Sequence, residues 1–140
     1  MGSNSCIALH VKSSDTAEIV PNNLGQRSTP TWLGIDENGQ FFVGEQAKQM
    51  RTFIYDVKNM LGRSYDDEDI SELRKSCSFT VSKGGECQCM IEVHDREAMD
   101  VKQVTAEILK GLKSNFERRF NKSLGSLKTV LTVPICFNED

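Results

Sequence analysis

The chain has 140 residues, 20 acidic and 17 basic side chains, a formal net charge of -3, and apolar and charged fractions of 38% and 26%. That length suits one modest core and excludes two full domains, while seven Phe, two Tyr and one Trp supply anchors that exclude wholesale disorder. The acidic balance argues against a dedicated nucleic-acid binder, and no run approaches the roughly 20 apolar residues of a membrane helix.

Residues 7–11 and 17–20 read as strands, and Lys12, Ser13, Ser14 and Asp15 between them are turn formers, so a hairpin is expected. Pro21, Asn22, Asn23 and Gly25 break the pattern before a third strand at 31–35. Asn38-Gly39 favours the positive φ of a tight turn, ahead of a short strand at 41–43. Strand after strand without an intervening helix implies antiparallel neighbours, not a Rossmann opening.

After Gly44 the period changes. Residues 45–50 suit a short helix, and Phe53, Val57, Met60 and Leu61 recur at helical spacing up to a stop at Gly62. Asp66, Asp67, Glu68 and Asp69 precede Ile70 and Leu73, where they can cap and lead a helix. Residues 78–81 and 89–93 predict a second antiparallel pair around a Lys83-Gly84-Gly85 turn. Asp100 then caps the clearest helix. Val101, Val104, Ile108, Leu112, Phe116 and Phe120 fall three and four apart over about 20 residues, which span roughly 30 Å.

Thr129, Val130, Leu131, Thr132 and Val133 form an apolar, β-branched run with the pattern of a central strand, closed by Pro134. It is expected to join the sheet of the first strands. Strand patterns so near both ends suggest a piece of a larger protein.

Cys6, Cys77, Cys87, Cys89 and Cys136 are odd in number and widely spaced, a poor disulfide framework. Five free thiols in the cytoplasm are expected, with an organelle lumen left open. One residue between Cys87 and Cys89 is short for a zinc site, and the acidic run at 66–69 lacks calcium-loop spacing, so no metal site is expected. Cys6 and His10 lie four apart, roughly 13 Å along a strand and too far for proton transfer. The Gly-x-x-x-x-Gly-Lys-Ser/Thr phosphate loop is absent. Taken alone, Lys58 reads as a surface helix lysine, and Gly2-Ser3-Asn4-Ser5 as a string able to close on a phosphate.

Six ordered stretches resemble the N-terminal part of the nucleotide-binding domain of the 70-kilodalton heat-shock chaperones. They are Asn4-Ser5-Cys6-Ile7-Ala8; Ile19-Val20-Pro21-Asn22 with Arg27-Ser28-Thr29-Pro30; Val43-Gly44-Glu45-Gln46-Ala47-Lys48; Asp56-Val57-Lys58-Asn59-Met60-Leu61-Gly62-Arg63 with Tyr65-Asp66-Asp67; Val104-Thr105-Ala106-Glu107-Ile108-Leu109; and Thr132-Val133-Pro134-Ile135-Cys136-Phe137-Asn138. The resemblance covers almost the whole chain. It implies an α/β, actin-like (ribonuclease H-like) ATPase fold, of which these residues are most of lobe I. That lobe has a mixed sheet with antiparallel strands and a long packing helix. Residues 1–43 and 125–140 would be base-subdomain strands, and 44–124 the upper subdomain.

By the same resemblance, Lys58 takes the position of the lysine that reaches the γ-phosphate and attacking water. Gly2, Ser3 and Asn4 fall on the first phosphate loop. Pro134 matches a proline that relays nucleotide state. ATP or ADP with magnesium would be the cofactor of the complete parent, with none held tightly by these 140 residues. Unfolded polypeptides, J-domain cochaperones and nucleotide-exchange factors would be partners; nucleic acid and membrane would not. The 140 residues alone are expected not to hydrolyse ATP. Departures support an alternative, a non-catalytic regulatory homologue acting through protein contacts. Met1 stands at a loop glycine, Asn59-Met60 replaces a basic-apolar pair, and Cys136 replaces a tyrosine.

Overall fold

The computed structural model describes residues 3–93, 96–121, 123, 125 and 128–133. Strand β1 (Asn4–Ser5) is followed by β2 (Ile7–Val11) and β3 (Thr16–Val20). These last two form the expected hairpin, in register from Ile7 opposite Val20 to Val11 opposite Thr16. Its turn uses Asp15 at φ 50°, a conformation that aspartate tolerates better than most residues.

Strand β4 (Thr29–Pro30) pairs antiparallel with β1, a two-residue contact with no signature in the local pattern. Strands β5 (Leu33–Ile35), β6 (Phe41–Val43) and β7 (Thr52–Ile54) make a three-stranded sheet in the order β6-β5-β7. The β5–β6 turn closes as Asn38-Gly39 predicts, with Gly39 at φ 79° and its N–H donating to Asp36 O at 3.0 Å. Residues 44–49 form a 3-10 turn instead of an α-helix. At Gly34 a side chain would meet the Ala47 backbone at 2.6 Å, so glycine is what lets this turn lie on β5.

The expected helix over 53–61 is not one element. Phe53 belongs to β7, and Val57–Asn59 is a single 3-10 turn. The periodic residues still turn inward, since Val57 and Met60 are each 1% exposed. Pairing with β5 claims Thr52–Ile54, and Asp56 at φ 58° breaks any helix before it can start.

Helix α1 (Glu68–Ser76) has Asp67 at its N-cap position and Glu68 and Asp69 in its first turn. A second sheet, ordered β10-β9-β8, comprises β8 (Val81–Lys83), β9 (Cys89–Ile91) and β10 (Met99–Asp100). The strand expected at 78–81 thus begins at Val81 and extends through Lys83, a residue expected in the turn. Every strand pairing among the described residues is antiparallel.

Helix α2 (Val101–Phe120) starts at the expected cap. Asp100 accepts from Gln103 N at 2.7 Å, and Gln103 Oε1 accepts from Asp100 N at 2.8 Å, a reciprocal capping box. Its inward stripe is Val101, Val104, Ile108, Leu112 and Phe116, all buried. It closes a core made with Leu33, Ile54, Met60, Ile70 and Ile91. Gly111 brings the helix backbone against Val43 of β6, where an added Cβ would lie 2.4 Å from Val43 Cγ2.

The expected strand at 129–133 is absent. These residues carry no regular structure, and Val130, Leu131 and Val133 are 91%, 61% and 59% exposed. β-branched composition favours a strand only where a neighbour offers backbone partners and packing. The β2–β3 sheet has two strands, and none of residues 129–133 pairs with it. Among the described residues no helix is long and apolar enough to cross a membrane.

Candidate functional site

Two of the residue groups singled out in the sequence meet in space. Lys58 Nζ donates to the backbone carbonyl of Asn4 at 3.2 Å, across 54 residues of chain. A relay of strand pairings brings this about. Asn4 lies opposite Pro30 in the β1–β4 pair. The chain then runs into β5, whose Leu33 lies opposite Ile54 of β7. Asp56 turns the chain from β7 into the Val57–Asn59 turn, with Asn59 N donating to Asp56 O at 3.0 Å. Val57 and Met60 are buried on either side, while Lys58 is exposed and free to aim at β1.

The β1 side is tied down independently. Thr31 N donates to Ser3 O at 2.8 Å, and the hydroxyls of Ser5 and Thr31 lie 2.8 Å apart. Thr31 is 4% exposed. Its part in holding the loop escaped the sequence reading, although the hydroxyl-rich stretch Ser28-Thr29-Pro30-Thr31 was a signal for it.

Ser3 carries the most telling atom. Its Oγ is buried and has no hydrogen-bond partner among the described residues. Buried hydroxyls are nearly always paired, so this orphan is a candidate for pairing with a ligand. An ammonium offers three donors, and one carbonyl does not exhaust Lys58. The hydroxyl and the ammonium together suit a phosphate group: both donate, and one carries the opposite charge. None of these groups is an anionic oxygen ligand for a hard cation, and no metal ligand is assigned to them.

Gly2 and Pro134 lie outside the described residues, as do Cys136 and His94. His10 has no link to Cys6 here; its Nε2 lies 3.0 Å from Asp15 Oδ1 on an exposed hairpin. Cys6, Cys77, Cys87 and Cys89 are free thiols. A separate cleft of about 480 Å³ lies between α2 and the 22–24 and 40–46 segments, and its lining includes none of Ser3, Asn4 and Lys58. The acidic run makes ion pairs: Asp69 with Arg63, and Asp66 with Lys83 at 2.5 Å. The Lys83 ammonium holds the Asp66 carboxyl below its ordinary value, helped by the Cys87 thiol.

The protein family described as Hsp70 protein matches residues 1–140. Among curated proteins, the chain is similar to the chaperone protein DnaK of Carsonella ruddii (strain PV), at 30% identity over 141 aligned residues. That alignment covers 97% of this chain and 23% of the relative, so the chain spans about a quarter of that relative's length.

Proposed function

The chain belongs to the Hsp70 protein family, with its actin-like ATPase fold and its chaperone-related nucleotide-binding domain, and from that premise we propose that Ser3, Asn4 and Lys58 form the phosphate side of an ATP site in an ATP-driven chaperone. Gly2 completes the phosphate loop in this reading. Residues 1–43 and 125–140 serve as the base subdomain and 44–124 as the upper one. Unfolded polypeptides, J-domain cochaperones and nucleotide-exchange factors are the proposed partners of the complete protein, and the cytoplasm its compartment.

The observation that carries the reading is the Lys58 Nζ to Asn4 O hydrogen bond at 3.2 Å, with the unpartnered hydroxyl on Ser3, one residue before Asn4 in the chain. ATP with magnesium, when bound, supplies the phosphoryl group that water attacks. Lys58 sets a fixed positive charge where negative charge develops, and orients water through its donors. Ser3 Oγ donates to a phosphate oxygen, which pairs an atom that the fold leaves orphaned. Asn4, held by β4 through β1, keeps the lysine from swinging into solvent.

The test is single-turnover ATP hydrolysis by the full-length protein and its Lys58→Ala variant, with nucleotide affinity measured in parallel. Losing one transition-state contact of this kind costs about 3 kcal/mol, a fall of roughly 10²-fold, with binding largely retained. Equal hydrolysis by the two proteins would remove Lys58 from the mechanism and favour the non-catalytic regulatory alternative.

A further inference from the structure

Asp56 is the residue that converts strand β7 into the turn carrying Lys58, and it does so in a backbone conformation that most side chains avoid. Its φ and ψ are 58° and 21°, in the left-handed region. Other non-glycine residues share positive φ: Asp15 sits in the β2–β3 turn, Glu86 and Cys87 in the turn between β8 and β9, and Asn121 ends α2, all routine places for it. Asp56 is in none of these. It stands between the buried strand residue Ile54 and the buried turn residue Val57, 0% and 1% exposed, and its carbonyl closes the turn by accepting from Asn59 N at 3.0 Å.

We infer that Asp56 is a positioning residue for Lys58, acting through its left-handed backbone. This inference rests on the role given to Lys58 above. Reversal at Asp56 is what allows Val57 and Met60 to enter the core on one side while Lys58 projects towards Asn4 on the other. A residue that resists positive φ relaxes residue 56 towards ordinary values and swings the 57–59 turn. The ammonium then leaves the Asn4 carbonyl, although nothing that touches a nucleotide has been replaced. Aspartate and asparagine visit this region more readily than other side chains, and glycine does so freely. β-branched residues are the least able to.

The experiment compares Asp56→Asn, Asp56→Gly, Asp56→Ala and Asp56→Val in the full-length protein, with Lys58→Ala as reference. Two quantities are read: ATP affinity and single-turnover hydrolysis. A third readout needs no nucleotide. Reductive ¹³C-methylation of the lysines gives a resonance for Lys58, identified by its loss in Lys58→Arg, that reports whether the amine keeps its partner.

Asp56→Val is expected to lower hydrolysis about tenfold at unchanged ATP affinity, and to move the Lys58 resonance to that of a free surface lysine. Asp56→Ala falls between. Asp56→Asn and Asp56→Gly keep hydrolysis within about twofold and leave the resonance in place, since both accept the left-handed conformation. If Asn and Gly fall as far as Val, the carboxylate and not the backbone is responsible, and the inference is overturned. Wild-type behaviour of Asp56→Val overturns it as well. Should Asp56→Val fail to fold, Gly against Ala decides: Gly above Ala supports the inference, and Gly equal to Ala overturns it. Unchanged hydrolysis in Lys58→Ala marks failure of the underlying reading, whereas a defect there without one in Asp56→Val marks failure of this inference alone.

Discussion

Replacing Gly111 by alanine sets two known effects against each other. An alanine in a helix interior is worth about 1 kcal/mol over glycine, which by itself would stabilise α2. The structure opposes this. The new methyl would lie 2.4 Å from Cγ2, 2.8 Å from Cβ and 3.4 Å from Cγ1 of Val43. Val43 belongs to β6, held to β5 with Leu33 opposite it, so it cannot retreat without moving a strand. Overpacking of a fixed contact costs about 1–3 kcal/mol. The difference is a net loss of about 1 kcal/mol. With a urea slope of roughly 2 kcal/mol per molar, the midpoint falls by about 0.5 M. Trp32, the chain's one tryptophan, packs edge-on against Phe53 at 5.4 Å and reports unfolding by fluorescence. Val43→Ala in the same chain removes two of the three clashing atoms, so the double mutant should show a favourable coupling of about 0.5 kcal/mol or more. A higher midpoint for Gly111→Ala would show that helix propensity wins and that the close approach of α2 to β6 is soft.

Asp100→Ala removes the side-chain half of the α2 capping box, the acceptor for Gln103 N, and should cost about 1 kcal/mol, read as a lower urea midpoint; an unchanged midpoint would mean that this half of the cap is redundant. Among the described thiols, Cys6 is exposed and Cys89 buried, so timed alkylation with mass spectrometry should modify Cys6 first and Cys89 last. Burial pushes the Cys89 thiol above its ordinary value of 9.0. Its protonated form is therefore favoured by folding, a contribution complete below pH 9 that is lost as pH rises through the raised value; Cys89→Ser should flatten stability in that alkaline range. The Asp66 carboxyl is held below 3.8 and the Lys83 ammonium above 10.5, chiefly by their mutual hydrogen bond. The pair thus contributes between those values. The contribution is lost as pH falls below 3.8 through the lowered carboxyl value, or rises above 10.5 through the raised ammonium value. Asp66→Asn should differ slightly from the parent at pH 7 in low salt, progressively less as pH falls below 3.8, and not at all in molar salt, since both groups are exposed.

Short-range chemistry is legible in the sequence itself. The 7–20 hairpin, the Asp36–Gly39 turn, and the start and buried face of α2 each follow from residues within a few positions of one another. Such features depend on turn residues, caps and periodicity, which a sequence displays directly. The run at 53–61 was misread because an inward residue every three or four positions serves a helix and also serves a strand that turns sharply into a 3-10 turn. The edge of β5 decided between them by pairing with Thr52–Ile54. The apolar run at 129–133 was misread for the converse reason: composition states what a segment would bury, and only neighbours supply the place to bury it.

For the site, the residues Ser3, Asn4 and Lys58 and their phosphate role came from resemblance; taken alone, Lys58 reads as a surface helix lysine. Their meeting was a tertiary matter. Two residues of β1 against two of β4, Leu33 opposite Ile54, and one left-handed aspartate set the 3.2 Å contact between Lys58 and Asn4. Each of those links is too short to mark its own segment, and the contact closes only when the whole core has assembled around Leu33, Ile54, Val57 and Met60.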